Sequence, residues 1–346
     1  MKRMRWIPLL LAAVLAGCSP AAAVSGENGE LQRYEASFLD LFDTVTSVVG
    51  YAPSEEEFRQ TVEQLHDRLE EYHQLYDIYN LYDGVANLKT INDNAGVAPV
   101  MVDGRILDLL EFSQQVYQES GGQVNVAMGS VLSLWHQYRE AGIEDPENAQ
   151  LPPEDQLEEA RNHCSMEGVV IDREASTVYL PDSQQSLDVG AVAKGYALER
   201  VCQEMAGTPM IVSLGGNVRA VAPRPDGSPW VIGVQDPDGG EEFLHRVEVG
   251  TGSVVTSGDY QRYYTVDGIR YHHIIDPETG YPANRYRAVT ILCQDSGWGD
   301  GLSTALFTLP QEEGERLLQA HDAQAMWVLP DGSMTYSAGF EEYIQG

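Results

Sequence analysis

The 346-residue chain has little cysteine and little positive charge. Its four cysteines are too few and too scattered for a small domain held together by disulfides. It contains 21 lysines and arginines against 53 acidic residues, a formal net charge of −32. A field of that sign repels nucleic acid, so we expect no nucleic-acid partner. Binding of a phosphate-bearing ligand therefore requires a local source of positive charge: a metal ion, a helix N-terminus or a few cationic side chains.

Several familiar motifs are also missing. The sequence contains no GxGxxG, Walker A, HExxH or GxSxG pattern, so the common nucleotide-fold, zinc-protease and hydrolase interpretations have no support. Cys164, Cys202 and Cys293 show no CxxC spacing and predict neither a disulfide nor a zinc site. We expect these three cysteines to be small buried hydrophobic residues.

The first twenty residues are typical of an export signal. Basic residues precede an apolar run at 6–15, about ten residues where a bilayer-spanning helix needs roughly 20. Small residues then lead to Cys18, as in a bacterial lipobox; an ordinary cleaved signal is the alternative. We expect residues 1–17 to be a lipoprotein signal peptide, Cys18 to carry acyl chains, and 18–33 to form a flexible tether. The protein is then extracytoplasmic and lipid-anchored to the bacterial cell membrane.

Residues 34–346 mix helical and strand patterns. Apolar residues recur at spacings of three and four from Phe58 to Tyr79, which predicts an amphipathic helix that begins near Ser54. Further helices are predicted over about 104–119, 190–206, 299–309 and 311–321, and a surface insertion over 141–163. Hairpins are predicted from 169–171 with 177–180, from 260–266 with 269–275, and across Asp331-Gly332; other strands are predicted near 210–214, 218–222, 230–234, 243–249 and 286–293. Helices and hairpins do not alternate as βαβ units, so the predicted fold class is α+β.

Two segments combine glycines and charged residues with a predicted boundary of a helix or strand. In residues 187–196 the chain enters a helix, where free N–H groups and the Lys194 cation suit a phosphate; an Asp-capped helix with a surface lysine is the alternative. Residues 256–280 carry adjacent histidines at 272 and 273. On a strand these point to opposite faces, so only one can serve a given site.

A third segment pairs Asp300 with Thr304, four residues later. A helix here puts the carboxylate and the hydroxyl on one face. Oxygen ligands of this kind suit Mg²⁺, although an Asp in the first turn of a helix explains Asp300 equally well.

Together and in this order, these segments resemble the flavin transferase family of ApbE type, the FAD:protein FMN transferases. The matching motifs are Leu-Asp-Val-Gly-Ala-Val-Ala-Lys-Gly-Tyr at 187–196, Leu-Gly-Gly-Asn at 214–217, Thr-Ser-Gly-Asp-Tyr at 256–260, His-Ile-Ile-Asp-Pro-Glu-Thr-Gly at 273–280, and Asp300 with Thr304. The resemblance implies a T-fold-like α+β architecture, with 34–346 as the catalytic domain. It also implies transfer of the FMN half of FAD, with Mg²⁺, to a Thr or Ser hydroxyl of a partner flavoprotein, with release of AMP.

The resemblance also implies roles for individual residues. Mg²⁺ is expected at the Ala191 carbonyl, Asp300 and Thr304. FAD is expected to contact Phe42, Tyr79, Gln123, Val124, Asn125, Asp188, Lys194 and Ile274. His273 is the candidate general base because its ordinary pKa lies near the working pH, with Asp300 as the competing choice.

The sequence departs from the family pattern at two places. It has Phe42-Asp43-Thr44 where Met-Gly-Thr is usual, and Val124-Asn125-Val126 where Phe-Asp-Pro is usual. Both departures concern the flavin contacts. Two other functions remain open at this point: a metal-dependent FAD pyrophosphatase that uses water as the acceptor, which Asn80 beside Tyr79 keeps in view, and a lipoprotein that only binds FAD.

Overall fold

The computed structural model describes residues 30–240 and 242–345. The strands in these ranges are β1 (Gln32–Leu41), β2 (Thr44–Ala52), β3 (Val100–Met101), β4 (Val170–Asp172), β5 (Thr177–Tyr179), β6 (Met210–Leu214), β7 (Asn217–Ala220), β8 (Trp230–Gln235), β9 (Phe243–Val249), β10 (Gly252–Gly258), β11 (Tyr263–Val266), β12 (Ile269–His272), β13 (Ala288–Cys293), β14 (Gln324–Val328) and β15 (Met334–Tyr336). The α-helices are α1 (Glu55–Tyr76), α2 (Leu88–Asp93), α3 (Gly104–Glu119), α4 (Gly129–Glu144), α5 (Glu154–Arg161), α6 (Ala193–Glu204), α7 (Ser296–Thr308) and α8 (Gln311–Ala320).

The predicted signal peptide and Cys18 lie outside the described residues. Strand β1 begins at Gln32 and pairs with β2, so Gln32 and Arg33 belong to the folded domain and not to the tether. None of the helices in the described ranges combines the length and the apolar character needed to cross a bilayer.

An eight-stranded sheet organises the fold, in the order β1-β2-β6-β7-β10-β13-β14-β15, and every neighbouring pair is antiparallel. Strand β13 is buried along its whole length because both faces of the sheet are covered. Helices α1, α6 and α7 pack on one face. The β8–β9 hairpin and the C-terminal residues cover the other. Separate helices and antiparallel strands confirm the predicted α+β class.

A smaller layer is built from α4, α5 and the β11–β12 hairpin. Its core contains Trp135, Leu157 and Tyr264. The surface insertion predicted over 141–163 is therefore wrong in part, because α5 buries Leu157 and Ala160 against α4. Its apolar residues are too few to show a helical period in the sequence.

Local signals located several helices correctly. Ser54 caps α1, its hydroxyl accepting the Glu57 N–H over 3.2 Å. Helix α1 ends at Tyr76 instead of continuing to Tyr79, because the Asp77 carboxylate accepts the N–H groups of Tyr79 and Asn80 over 2.6 and 3.0 Å.

Asp295, not Asp300, caps α7. The Asp295 carboxylate accepts the N–H groups of Gly297 and Trp298 over 2.8 and 3.0 Å. Asp300 therefore lies in the second turn, where the backbone N–H groups are already satisfied. Its carboxylate is directed to other partners.

Candidate active site

Helices α6 and α7 pack closely against each other at Gly195. A Cβ there would overlap the Ser296 carbonyl oxygen and lie 2.6 Å from the Asp300 Cβ, so only glycine allows this approach. The Gly195 N–H then donates to Asp300 Oδ2 over 2.8 Å. The approach of the helices thereby fixes the Asp300 carboxylate.

This contact satisfies an N–H at the start of α6, in the 187–196 motif. Gly195 is the third residue of α6, and the first N–H groups of a helix have no carbonyl partner within it. The Gly195 N–H is committed to Asp300, and the Ala191 carbonyl accepts no hydrogen bond from any residue in the described ranges. The Thr304 hydroxyl, one turn after Asp300, also makes no hydrogen bond to a described residue. The Ala191 carbonyl oxygen and the Thr304 hydroxyl oxygen thus have no hydrogen bond to a described residue, and the Asp300 carboxylate bonds Gly195 through Oδ2 alone.

Asp300 is buried, with 4% of its surface exposed. Burial raises its pKa, while the Lys194 charge, the Gly195 N–H and the Asn217 side chain lower it. Lys194 Nζ lies 4.0 Å from Asp300 Oδ1 and 3.5 Å from the Gly190 carbonyl oxygen. A carboxylate, a hydroxyl and a carbonyl are hard oxygen donors, which fit Mg²⁺. A cation there would also compensate the buried charge of Asp300.

The Leu-Gly-Gly-Asn motif positions Asn217 beside this carboxylate. Gly215 and Gly216 have φ of 55° and 96° and form the two-residue turn between β6 and β7. A side chain at Gly215 would also collide with Thr44. The turn brings Asn217, the first residue of β7, toward Asp300.

Asp188 is half-buried just before α6. Its Oδ1 accepts the Gly190 N–H over 2.9 Å, and its backbone N–H donates to the Val126 carbonyl over 2.8 Å. The second bond places the segment 123–126 next to Asp188. Burial raises the pKa of Asp188, and the Gly190 N–H with the charges of His136, Arg262 and Lys194 lowers it.

The predicted contacts at 123–125 are limited by their own packing. The Val124 side chain is buried in the main core. The Asn125 side chain donates to the Cys164 carbonyl over 2.8 Å and accepts the Ala127 N–H over 2.9 Å. A ligand contact from Val124 therefore has to come from the backbone, whereas the half-buried Asn125 amide keeps one N–H and one lone pair, and the half-buried Gln123 side chain makes no hydrogen bond within the described ranges.

His273 follows β12 and is half-buried. Its Nδ1 is buried and has no hydrogen-bond partner among the described residues. Burial lowers the pKa of His273 to about 3, with further lowering by Arg262, His272 and Lys194. His272, in contrast, bonds the Ala283 carbonyl over 2.6 Å. Only His273 of the pair is available to a ligand, as the strand geometry predicts.

Three further residues were predicted to contact FAD: Tyr79, Phe42 and Ile274. Tyr79 is 54% exposed, and its ring lies 5.4 Å from that of His136. Phe42 lies in the β1–β2 turn, where its N–H donates to His73 Nδ1 over 3.2 Å. Ile274 is buried, and its carbonyl accepts the Ala283 N–H over 3.0 Å. The charges of Asp43 and Asp188 both act on the Tyr79 phenol, which places the turn, Tyr79 and Asp188 together.

The family comparison is decided by two matches. The sequence model of the ApbE family matches residues 42–327. A FAD:protein FMN transferase of Treponema pallidum is 34% identical over 281 residues, 75% of this chain and 75% of that one. The chain belongs to the ApbE family.

Further relatives agree with the assignment to the ApbE family. A FAD:protein FMN transferase of Klebsiella pneumoniae is 30% identical over 268 residues, 76% of this chain and 81% of its own. The crystal structure of the ApbE protein of Thermotoga maritima has a TM-score of 0.80 at 30% identity, over 91% of this chain and 100% of that one. The flavin transferase ApbE of Vibrio cholerae has a TM-score of 0.76 at 24% identity, with the same coverage, and supports the fold.

Three residues near the ApbE motifs were missed by sequence reasoning. They are His136 and Arg139, on α4, and Arg262, just before β11. No helix was predicted over 129–144, so His136 and Arg139 had no assigned face. Arg262 follows the Thr-Ser-Gly-Asp-Tyr motif by two residues, and that proximity was the one available signal.

A separate groove of about 600 Å³ lies between α4, α5 and residues 184–186. Its lining includes Ser130, Glu159 and His163, and none of the predicted site residues. Ser130 Oγ lies 3.3 Å from the half-buried Cys164 Sγ, while Cys202 and Cys293 are buried as expected. All three thiols are free.

Proposed function

We propose that the chain transfers the FMN moiety of FAD, with Mg²⁺, to a Thr or Ser hydroxyl of a partner flavoprotein and releases AMP. One observation carries the proposal: the Gly195–Asp300 hydrogen bond fixes the Asp300 carboxylate next to Lys194, while the Ala191 carbonyl and the Thr304 hydroxyl have no hydrogen-bond partner among the described residues. This arrangement combines a hard-cation site with a fixed ammonium group. Both are what a pyrophosphate needs in a chain of charge −32.

The three oxygens fit a magnesium ion by their chemistry and by the burial of the Asp300 carboxylate, whose pKa burial raises despite Lys194, the Gly195 N–H and Asn217. When bound, the ion supplies charge neutralisation at the phosphoryl oxygens. The chain's own contribution is positional: α6 and α7 hold the carboxylate and the ammonium group in one place. Phosphoryl transfer depends mainly on such positioning and on charge stabilisation.

His273 is the group that we assign to proton removal. The expectation from the sequence, an ordinary pKa near the working pH, is wrong, because burial and nearby cations lower the pKa of His273 to about 3. The imidazole is therefore neutral at pH 7 and able to accept a proton, but it is a weak base, and its unpartnered Nδ1 is what supports the assignment. The acceptor oxygen then bonds to the phosphorus on the FMN side, and the bond from that phosphorus to the bridging oxygen breaks. The bridging oxygen leaves with AMP.

The test is product analysis with purified protein, FAD, Mg²⁺ and membrane proteins of the source organism. Transfer predicts covalent flavin fluorescence on an acceptor band in a denaturing gel, with AMP released in equal amount. Free FMN and AMP without an acceptor would instead establish a pyrophosphatase. FAD bound one to one with no AMP would establish a binding protein. Asp300→Ala serves as the control that removes the carboxylate.

We further propose that the protein acts outside the cytoplasmic membrane as a lipoprotein anchored through Cys18. The basic and apolar residues before Cys18, and the small residues next to it, support this location. The acceptor is then a flavoprotein of the membrane or the extracytoplasmic space. Metabolic labelling with a palmitate analogue should mark the wild-type chain and not Cys18→Ser. Labelling of both, or of neither, would reject the anchor.

A further inference from the structure

Arg262 is an unusual cation in this protein. Throughout residues 30–240 and 242–345, every other lysine and arginine makes a hydrogen bond, an ion pair or a ring contact. Arg262 makes none with these residues and is exposed. In a chain with 53 acidic residues, an arginine left without a carboxylate is available to an anionic ligand.

The hairpin register brings Arg262 next to His273. In the β11–β12 ladder Tyr263 pairs with His272, so Arg262 and His273 lie directly beyond the last pair, on neighbouring chain segments. The charge of Arg262 acts on His273, on Asp188 and on the Tyr79 phenol. These three residues come from separate segments of the chain, and Arg262 is near enough to influence all of them.

Arg139 extends the same positive group from α4. Its Nη2 lies 2.7 Å from His136 Nδ1, and the His136 ring lies against Tyr79. Its charge acts on His273 and on Tyr79, as that of Arg262 does. Lys194 on α6 completes a set of three cations around His273. The charges of two of them, Arg262 and Lys194, also act on the Asp188 carboxylate.

We infer that Arg262, supported by Arg139, binds the pyrophosphate of FAD from the side of the β11–β12 hairpin, together with Lys194 of α6. This inference rests on the proposed function. The guanidinium group presents paired N–H donors that match phosphate oxygens. As the bond between the FMN phosphorus and the bridging oxygen breaks, the electron pair goes to the oxygen that leaves with AMP. A cation at Arg262 stabilises that charge, while the hydroxyl proton goes to His273.

Ligand binding tests the assignment without turnover. The affinities of the full chain for FAD, ADP and riboflavin are measured by flavin fluorescence and calorimetry, with no acceptor, for the wild type, Arg262→Gln and Arg262→Lys. Riboflavin carries no phosphate and reports on the flavin pocket alone. Arg262→Gln should weaken FAD and ADP binding roughly 10- to 100-fold and leave riboflavin binding unchanged. Arg262→Lys should recover part of the loss.

Arg270→Gln is the matched control. Arg270 belongs to the same hairpin but pairs with Asp259 at 3.5 Å and lies over the Tyr263 ring. It should bind all three ligands as the wild type does. Unchanged FAD binding in Arg262→Gln, or an equal loss for riboflavin, overturns the assignment. Wild-type FAD binding without transfer counts against the proposed function alone, and absence of FAD binding by the wild type overturns both.

Discussion

The backbone N–H of Gly195 donates to the carboxylate of Asp300 across the interface of α6 and α7. As the third residue of α6, Gly195 has an N–H without a partner in its own helix, and the carboxylate of α7 supplies that partner. The Ala191 carbonyl, which we propose as a magnesium ligand, accepts no hydrogen bond from a described residue. One glycine therefore links the packing of two helices to the chemistry of the site.

Replacing Gly195 with Ala should separate the two helices. The added methyl group meets the Ser296 carbonyl and the Asp300 Cβ, so we expect a loss of about 1–3 kcal/mol in the free energy of unfolding and a loss of transfer activity. Chemical denaturation and the gel assay measure the two effects. Gly104→Ala, at the open start of α3, is the control and should be neutral or slightly stabilising. Full activity in Gly195→Ala would contradict this account.

Asp300→Asn should separate stability from metal binding. Since the pKa of Asp300 in the folded protein is raised above the unfolded value, its ionised form costs stability above about pH 4. The metal-free variant should therefore be at least as stable as the wild type at pH 7, and the difference should shrink as the pH falls below 4.

With Mg²⁺ present, the wild type should be more stable than Asp300→Asn. A site filled at a hundred times its Kd stabilises the wild type by about 2.7 kcal/mol, and Asp300→Asn should show no such gain. Thermal unfolding with and without Mg²⁺ provides the comparison, and Asp155→Asn, exposed on α5, controls for the loss of one negative charge. Equal stabilisation of Asp300→Asn and wild type would exclude Asp300 as a ligand.

His273→Ala should lower kcat by roughly 10²- to 10⁴-fold at saturating FAD and Mg²⁺, with FAD binding retained. His245→Gln, on β9, is the control. The pKa of about 3 means that kcat/KM should show no protonation of His273 between pH 5 and 8. An unchanged kcat in His273→Ala would leave Asp300 as the remaining candidate base.

The same histidine should contribute to acid sensitivity. Its folded pKa of about 3 lies below the unfolded value of about 6.5, so the unfolded chain takes up the proton first. Stability is lost as the pH falls from about 6.5 toward 3. His273→Gln should lose less stability over that window, as measured by urea unfolding at each pH.

Glu199→Gln should destabilise the helix pair. The Glu199 carboxylate accepts from Arg219 Nε and from the Ser296 N–H, both over 2.9 Å, and thereby joins α6 to β7 and α7. Removing one partner of a buried pair should cost about 3 kcal/mol. The double variant with Arg219→Met should regain part of this loss. Glu204→Gln, which breaks the exposed pair with Arg68, should cost less than about 1 kcal/mol.

Sequence reasoning located what local patterns determine. The Ser54 cap, α3, α7 and the Asp267-Gly268 hairpin all follow from neighbouring residues. The β1–β2 hairpin was not predicted, because its turn uses Phe42 and Asp43, with φ of 53° and 51°, where glycine is the usual signal. Asp tolerates that region better than most residues, so the chain keeps the turn without the signal.

The proposed metal ligands and His273 were predicted from motifs, whereas the arginines were not. Arg139 lies on a helix with weak periodicity, and Arg262 is one cation in a strand segment rich in tyrosine. Their shared position depends on the packing of α4 against β11, and a single sequence carries no trace of that contact. Arg139 and Arg262 come close to the same residues through tertiary contacts, which composition does not indicate.

The bond between Gly195 and Asp300 spans 105 residues of chain. Closing a loop of that length costs conformational entropy, so the contact depends on the rest of the fold being in place. A chain that ends before Asp300 lacks the carboxylate, and a partly folded chain does not bring it to Gly195. The junction of α6 and α7 therefore forms only in a chain that extends through α7 and is folded.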